Sequence, residues 1–287
     1  GADGGSTASY TGGVLDVWGG VAGAGVVDFN GSTAAIVSTS MLLDMEHLTF
    51  DNASGMTWDL DGDSLIIADS LAQMAAFAAF TGSAKTHIAG GDLTMGAGEG
   101  FTGWGTVDDK LVMSAGAGTV QVNPDENAWL NLGGLEQHGG TVLATTLIID
   151  SIETTTPGSI DGGVLELEDL KVATLGTGTF TQDGGIVTIT GTNTLVLGET
   201  AGSTGLYLLS NGSLASAAVN IGDAGTGTFN QTGGTHSFSG EFNVGAQTTG
   251  MGEYNLSAGT LINTGNTRMD IGQDGLGVFN HTGGSFV

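Results

Sequence analysis

A ten-residue motif that returns at a near-constant distance constrains this chain more than any other feature. Gly176-Thr-Gly-Thr-Phe180-Thr-Gln-Asp-Gly-Gly185 recurs as Gly225-Thr-Gly-Thr-Phe229-Asn-Gln-Thr-Gly-Gly234. It recurs again as Gly275-Leu-Gly-Val-Phe279-Asn-His-Thr-Gly-Gly284, at offsets of 49 and 50 residues. Weaker copies lie between them, Gly205-Leu-Tyr207-Leu-Leu-Ser-Asn-Gly212 and Gly252-Glu-Tyr254-Asn-Leu-Ser-Ala-Gly259. The aromatics Phe180, Tyr207, Phe229, Tyr254 and Phe279 are therefore spaced by 27, 22, 25 and 25 residues. An aliphatic residue followed by Gly keeps the same phase at Leu197-Gly198, Ile221-Gly222, Val244-Gly245 and Ile271-Gly272. Two markers with one period, in a background of Thr, Val, Leu, Asn and Gly, predict a solenoid in which each repeat is one coil.

The expected fold is all-β, a parallel β-solenoid with coils of about 25 residues. Right-handed coiling is the default for parallel crossovers, giving a right-handed β-helix. Successive coils lie about 4.8 Å apart, the hydrogen-bonding distance between strands, so equivalent residues stack into ladders. The five aromatics are expected to form an internal stack, and each Gly-Gly pair a corner needing positive φ or close backbone approach. About 11 such coils would make a rod of about 50 Å.

The regular repeat covers 173–287. Residues 1–172 carry the same vocabulary more loosely, at Tyr10-Thr-Gly-Gly-Val14-Leu-Asp-Val17, Gly90-Gly-Asp-Leu-Thr-Met95, Gly139-Gly-Thr-Val-Leu143 and Gly162-Gly-Val-Leu-Glu-Leu167. One continuous domain is expected, with irregular N-terminal coils. The Ala-rich stretch Ser70-Leu-Ala-Gln-Met-Ala-Ala-Phe-Ala-Ala-Phe80-Thr-Gly82 breaks the pattern. With Ser70 as N-cap and Gly82 as stop, it predicts a short helix inserted near 70–81.

Charge bears on partners. Four Lys and Arg against 30 Asp and Glu give a net charge of −26. Such a surface repels nucleic acid and anionic lipid, and attracts divalent cations. No apolar run reaches transmembrane length, so membrane insertion is not expected. With no Cys, disulfides, thiol catalysis and Cys-based metal sites are excluded.

The GTGTFNQTGG-type coil, paired with an LxIG-type strand, resembles the repeats of bacterial autotransporter-like and PEP-CTERM-associated surface proteins. The resemblance spans 173–287. It implies an exported, β-helical protein located outside the cell or on its surface, and it is informative about architecture rather than activity.

Candidate sites are sparse. Asp59-Leu-Asp61-Gly62-Asp63 alternates carboxylates around a Gly turn, as at the start of a Ca²⁺ loop, but the bidentate Glu of an EF-hand is missing. The competing reading is a solvated turn between strands. Glu199, Asp223 and Asp274 follow the LxIG strand, with Ala246 and Gln273 interrupting them, which fits tolerated surface acids. Asn230, Asn255 and Asn280 each head an N-x-[S/T] sequon, one coil apart. They line one exterior stripe and read either as glycosylation sites or, the favoured reading, as an Asn ladder or a side effect of a repeat rich in Asn and Thr. The five His are scattered, the four Trp (Trp18, Trp58, Trp104, Trp129) lie in the looser half, and Asp108 and Asp109 have no visible catalytic partners.

The functional expectation is a non-enzymatic structural protein of a cell-surface layer, sheath or filament. It needs no cofactor, Ca²⁺ being the one candidate ion, and its main partner is a second copy of itself. Head-to-tail assembly is expected through solenoid ends carrying Tyr10, Val14, Phe286 and Val287. The alternatives are an adhesin or glycan-binding passenger rod, with an extracellular glycan as partner, and a solenoid glycan hydrolase.

Overall fold

The computed structural model describes residues 92–287, apart from 99–100, 104, 123–129, 151–156 and 191–194, and before residue 92 the backbone of the strands alone. The described residues form a parallel β-solenoid of about 7 turns with about 24 residues per turn. Each turn follows three sheet segments, which are separate strands in the C-terminal coils and run together in earlier ones, as in Thr177–Ile189 and Thr204–Ser216. In the coil around Phe229 they are Thr226–Gln231, Thr235–Phe238 and Phe242–Val244. In the next coil they are Met251–Leu256, Thr260–Asn263 and Met269–Ile271. Every strand pairs in parallel with its counterpart one coil away, so three sheets run along the rod. Sheets I, II and III are named here in that order.

The sequence pattern explains the alternation. In Thr226–Gln231, Thr226, Thr228 and Asn230 are half-buried and face outward, whereas Gly227, Phe229 and Gln231 are buried. Successive side chains point to opposite faces of a strand, so a T-G-T-F-N-Q string places one aromatic per coil in the core. The register Phe180↔Tyr207↔Phe229↔Tyr254↔Phe279 runs unbroken through sheet I. Sheet III stacks Leu147, Leu170, Leu195, Val219 and Phe242, all with no exposure. This ladder crosses residue 172 without interruption, so the looser and the regular repeats form one continuous body there.

Glycine is needed where the coil turns from sheet III back to sheet I. Gly222 has φ +69°, and a Cβ there would lie 2.1 Å from the carbonyl oxygen of Met251 in the next coil. Gly227 faces the same corner from inside, and its Cβ would lie 2.2 Å from the Gly222 nitrogen. The Gly of the aliphatic-Gly marker and the second Gly of G-T-G-T-F are thus a single packing requirement written twice.

Before residue 92 the strands follow the same logic. Ala35–Ser38 pairs with Thr57–Leu60, and Leu42–Asp44 with Ser64–Ile67, all in parallel. The expected helix near 70–81 is corrected at its C-terminal end. Residues 79–81 belong to strand Ala79–Gly82, paired with Thr57–Leu60 in the register Trp58↔Phe80. A ladder of backbone bonds from the neighbouring coil outweighs the helix preference of Ala79, which amounts to well under about 1 kcal/mol. Residues 70–78 lie outside the described residues, and among the described residues no helix occurs.

Candidate functional site

The inside of sheet I carries a stack of aromatic rings. Ring centroids are separated by 5.2 Å for Phe180–Tyr207, 4.7 Å for Tyr207–Phe229, 4.7 Å for Phe229–Tyr254 and 5.5 Å for Tyr254–Phe279. The two central pairs are parallel within 8° and 4°. The expected aromatic ladder is therefore present as a stack, with spacing set by the coil repeat.

Two residues on from the aromatic, the inward position alternates between polar and apolar. The column reads Gln137, Ile160, Gln182, Leu209, Gln231, Leu256 and His281. Gln137, Gln182 and Gln231 have no exposure. Tyr207 donates its hydroxyl to Gln182 Oε1 at 2.7 Å, and Tyr254 donates to Gln231 Oε1 at 2.6 Å. Each Gln also donates through Nε2, to the Ser213 carbonyl at 3.0 Å and the Thr260 carbonyl at 3.0 Å respectively. Coils of Phe-x-Gln type thus alternate with coils of Tyr-x-Leu type, and each Tyr satisfies the Gln one coil back. Two coils form the true repeat, which is why the strongest sequence copies stand 49 and 50 residues apart. The exception is instructive. Gly158 holds the Tyr position after Gln137, and Gln137 Oε1 is buried without a hydrogen-bond partner.

His236 replaces the aliphatic residue that sheet II carries at Leu214 and Leu261. It is fully buried and stacks on Phe229 at 5.0 Å. Because the Tyr254 hydroxyl donates to Gln231, its oxygen accepts from His236 Nδ1–H at 3.1 Å, leaving Nε2 to accept from the Ser216 hydroxyl at 3.0 Å. Burial pushes the imidazole pKa down to about 3, so it is neutral in the core.

The outside of sheet I carries the expected asparagines. Asn255 Nδ2 donates to Asn230 Oδ1 at 2.9 Å, and Asn280 Nδ2 donates to Asn255 Oδ1 at 2.8 Å. The three form a ladder of head-to-tail amides. The side-chain nitrogens of Asn255 and Asn280, the atoms a glycan would occupy, are engaged in it. A shorter ladder, Asn243 to Asn220 at 3.0 Å, runs on sheet III.

Acids collect at corners and on the N-terminal coils, and 23 of the 30 lie before residue 173. Lys171 pairs with Glu199 at 2.6 Å. Asp223, whose pKa is raised chiefly by burial, accepts from Gln247 Nε2 at 3.1 Å. In the following coil Ala246 holds the position in register with Asp223, and its neighbour Gln247 supplies that amide. Further toward the N-terminus a charged strand of side chains runs along the rod. It goes from Asp92 to Lys110 at 3.0 Å, to Glu136 at 2.8 Å, to His138 at 3.1 Å and to Asp161 at 2.9 Å. Asp161 and then Glu136 raise the His138 pKa, and Lys110 and then His138 lower that of Glu136.

Of the remaining expected sites, Asp59 lies on strand Thr57–Leu60, opposite Val37 and Thr81. Its side chain, and Asp61 and Asp63, are outside the described residues. Among the described residues no group of three or more His, Asp or Glu is arranged to hold a metal ion. Asp108 and Asp109 lie on strand Gly105–Met113, with side chains outside the described set. Phe286 and Val287 are exposed at 43% and 73%, and Tyr10 and Val14 are outside the described residues.

Sequence reasoning found the aromatics, the corners and the asparagines, but missed the buried glutamines and His236. Polar residues in a Thr/Asn-rich repeat resemble surface residues. The available signal was the doubled period, with F-x-Q and Y-x-L taking turns.

Comparisons with protein-family models, with curated proteins and with solved structures returned no match.

Proposed function

We propose that this chain is a structural rod of an extracellular or cell-surface layer, sheath or filament, which lengthens by pairing solenoid coils end to end between copies. The observation that carries the reading is the constant register of the internal coils, each laid in parallel on the one before it. One aromatic ring per coil stacks on the next, and Asn230, Asn255 and Asn280 bond in one direction along the rod, so coils of this type are suited to pair with one another between copies as well as within one. A non-closing contact of that kind gives an open filament. The acidic corners keep such rods solvated and favour cations as counter-ions.

The reading is tested on the 287-residue chain by light scattering and negative-stain imaging over a concentration series. Rods longer than one chain are expected at high concentration. Phe286→Asp and Val287→Asp, which place a charge at the expected pairing end, are expected to shorten them to single chains. Unchanged lengths in both variants would count against end-on pairing.

A further inference from the structure

The outward face of sheet I differs from the rest of this acidic molecule. Over the five coils from 177 to 281 it presents fifteen positions. They are 177, 179 and 181 (Thr, Thr, Thr), 204, 206 and 208 (Thr, Leu, Leu), 226, 228 and 230 (Thr, Thr, Asn), 251, 253 and 255 (Met, Glu, Asn), and 276, 278 and 280 (Leu, Val, Asn). Glu253 is the single charge among them, and it accepts from Asn280 Nδ2 at 3.0 Å. Met251, in the outer row with Thr226 and Leu276, is 51% exposed. The neighbouring acids Asp183, Glu199, Asp223 and Asp274 lie at the corners, outside the strand rows of this face, and toward the N-terminus the face ends at the Lys110–Glu136–His138–Asp161 strip.

We infer that this face is a lateral self-association surface, on which a second copy of the same chain docks sheet to sheet. Charge distribution selects the occupant. Two chains of net charge −26 repel over most of their surfaces and approach most easily where each is uncharged and flat. The aliphatic content of the face, at Leu206, Leu208, Met251, Leu276 and Val278, provides the apolar contact. Identical copies favour an isologous pair about a two-fold axis. The central coil of the five is Thr226–Gln231, and Thr228 is its central outward residue, so an axis lying in the interface, parallel to this strand and over Thr228, places Thr228 against Thr228 of the second copy. The same axis sets Met251 against Thr204 of the second copy, and Glu253 against its Leu206. Five coils about 4.8 Å apart and six-residue strands give about 24 by 20 Å, or about 500 Å² per copy. That is at the lower limit for a specific interface, so the pair is weak and concentration-dependent. Lateral docking is separate from end-on growth and does not require it.

Because the chain has no Cys, single cysteines report contacts cleanly. Under mild oxidation, Thr228→Cys is expected to give a disulfide-linked dimer. Ser237→Cys, on the outward face of sheet II, is expected to stay monomeric under the same conditions. In sedimentation equilibrium, Thr228→Glu is expected to abolish the dimer, Ser237→Glu to leave it unchanged, and Glu253→Gln to increase its association constant several-fold. A Thr228→Cys chain that fails to cross-link at concentrations where light scattering sees association would overturn the proposal. So would equal cross-linking of the two cysteine variants. If end-on pairing alone operates, Thr228→Glu leaves association intact while Phe286→Asp removes it, so the two readings fail separately.

Discussion

Tyr207 reaches one coil back inside the solenoid and donates its hydroxyl to Gln182 Oε1 at 2.7 Å, with both side chains fully buried. The same bond joins Tyr254 to Gln231 at 2.6 Å. It turns a stack of similar coils into a stack of paired coils, because a Phe-x-Gln coil is satisfied by a Tyr-x-Leu coil on the following side. Core polarity in this rod therefore specifies the order of coils, a role that a uniformly aliphatic column would not provide.

The first prediction concerns that bond. Tyr207→Phe leaves Gln182 Oε1 buried without a donor and is expected to cost about 1–3 kcal/mol. Adding Gln182→Leu, the residue type that alternate coils already carry at Leu209 and Leu256, removes the orphaned acceptor and is expected to recover most of the loss. Urea denaturation of the two single variants and the double variant gives the coupling. Additive losses would show that the bond does not link the two coils.

A second prediction separates two demands on corner glycines. Gly222 and Gly272 have φ of +69° and +74°, but a Cβ at Gly272 would meet nothing closer than 3.4 Å, against 2.1 Å at Gly222. Gly272→Ala is expected to cost about 1–2 kcal/mol, from the left-handed backbone alone. Gly222→Ala must also displace the backbone of the next coil and is expected to cost several kcal/mol more, or to prevent folding. Equal melting temperatures for the two variants would rule out close backbone approach as the reason for this glycine.

Much of this architecture is legible in the sequence, and the parts that are not have identifiable causes. The aromatic spacing and the Gly-Gly pairs report coil length and corners directly, since each follows from a steric requirement that recurs every turn. Asn230, Asn255 and Asn280 were readable as a ladder because one outward column repeats a single residue type. The Gln column was hidden because Gln182 and Gln231 are three residues before a corner, where exposed polar residues are also expected. His236 was hidden for the same reason, and its burial depends on Ser216 and Tyr254 from the two adjacent coils, 20 and 18 residues away. The segment 79–81 misled because local helix preference was weighed without the strand Thr57–Leu60 that pairs with it.

Acid sensitivity is expected to centre on His236. The folded imidazole has a pKa of about 3, against 6.5 as the ordinary value. Between these limits the unfolded chain binds a proton that the folded chain does not. The stability contributed by neutral His236 is therefore present above pH 6.5 and lost as pH falls toward 3, at up to about 1.4 kcal/mol per pH unit. His138 acts in the opposite sense. With its pKa raised by Asp161 and Glu136, its contribution is present below 6.5 and is lost as pH rises through the raised value, but it is exposed and well screened. His236→Leu, which matches Leu214 and Leu261, is expected to flatten the loss of stability between pH 6.5 and 4 by one proton. Denaturation midpoints that fall equally in the two proteins would remove His236 as the cause.

Salt is expected to raise thermal stability, because 26 net negative charges are screened over a Debye length of about 8–10 Å at physiological ionic strength. Millimolar Ca²⁺ at matched ionic strength separates screening from specific binding. An additional increase with Ca²⁺ that disappears in an Asp59→Asn, Asp61→Asn, Asp63→Asn variant would assign the ion to that turn. Equal melting temperatures with Ca²⁺ and with chelator would confine the effect to screening.

Cryo-electron microscopy of the 287-residue chain at high concentration examines the proposed structural role most directly. If this chain is a self-pairing rod, filaments will show the coil repeat of about 4.8 Å continuing across each junction between copies, with the first coil of one copy laid on the Leu276–His281 coil of the next. Single rods at every concentration, or particles joined through their side faces with no axial continuity, would show that the end-on reading is wrong.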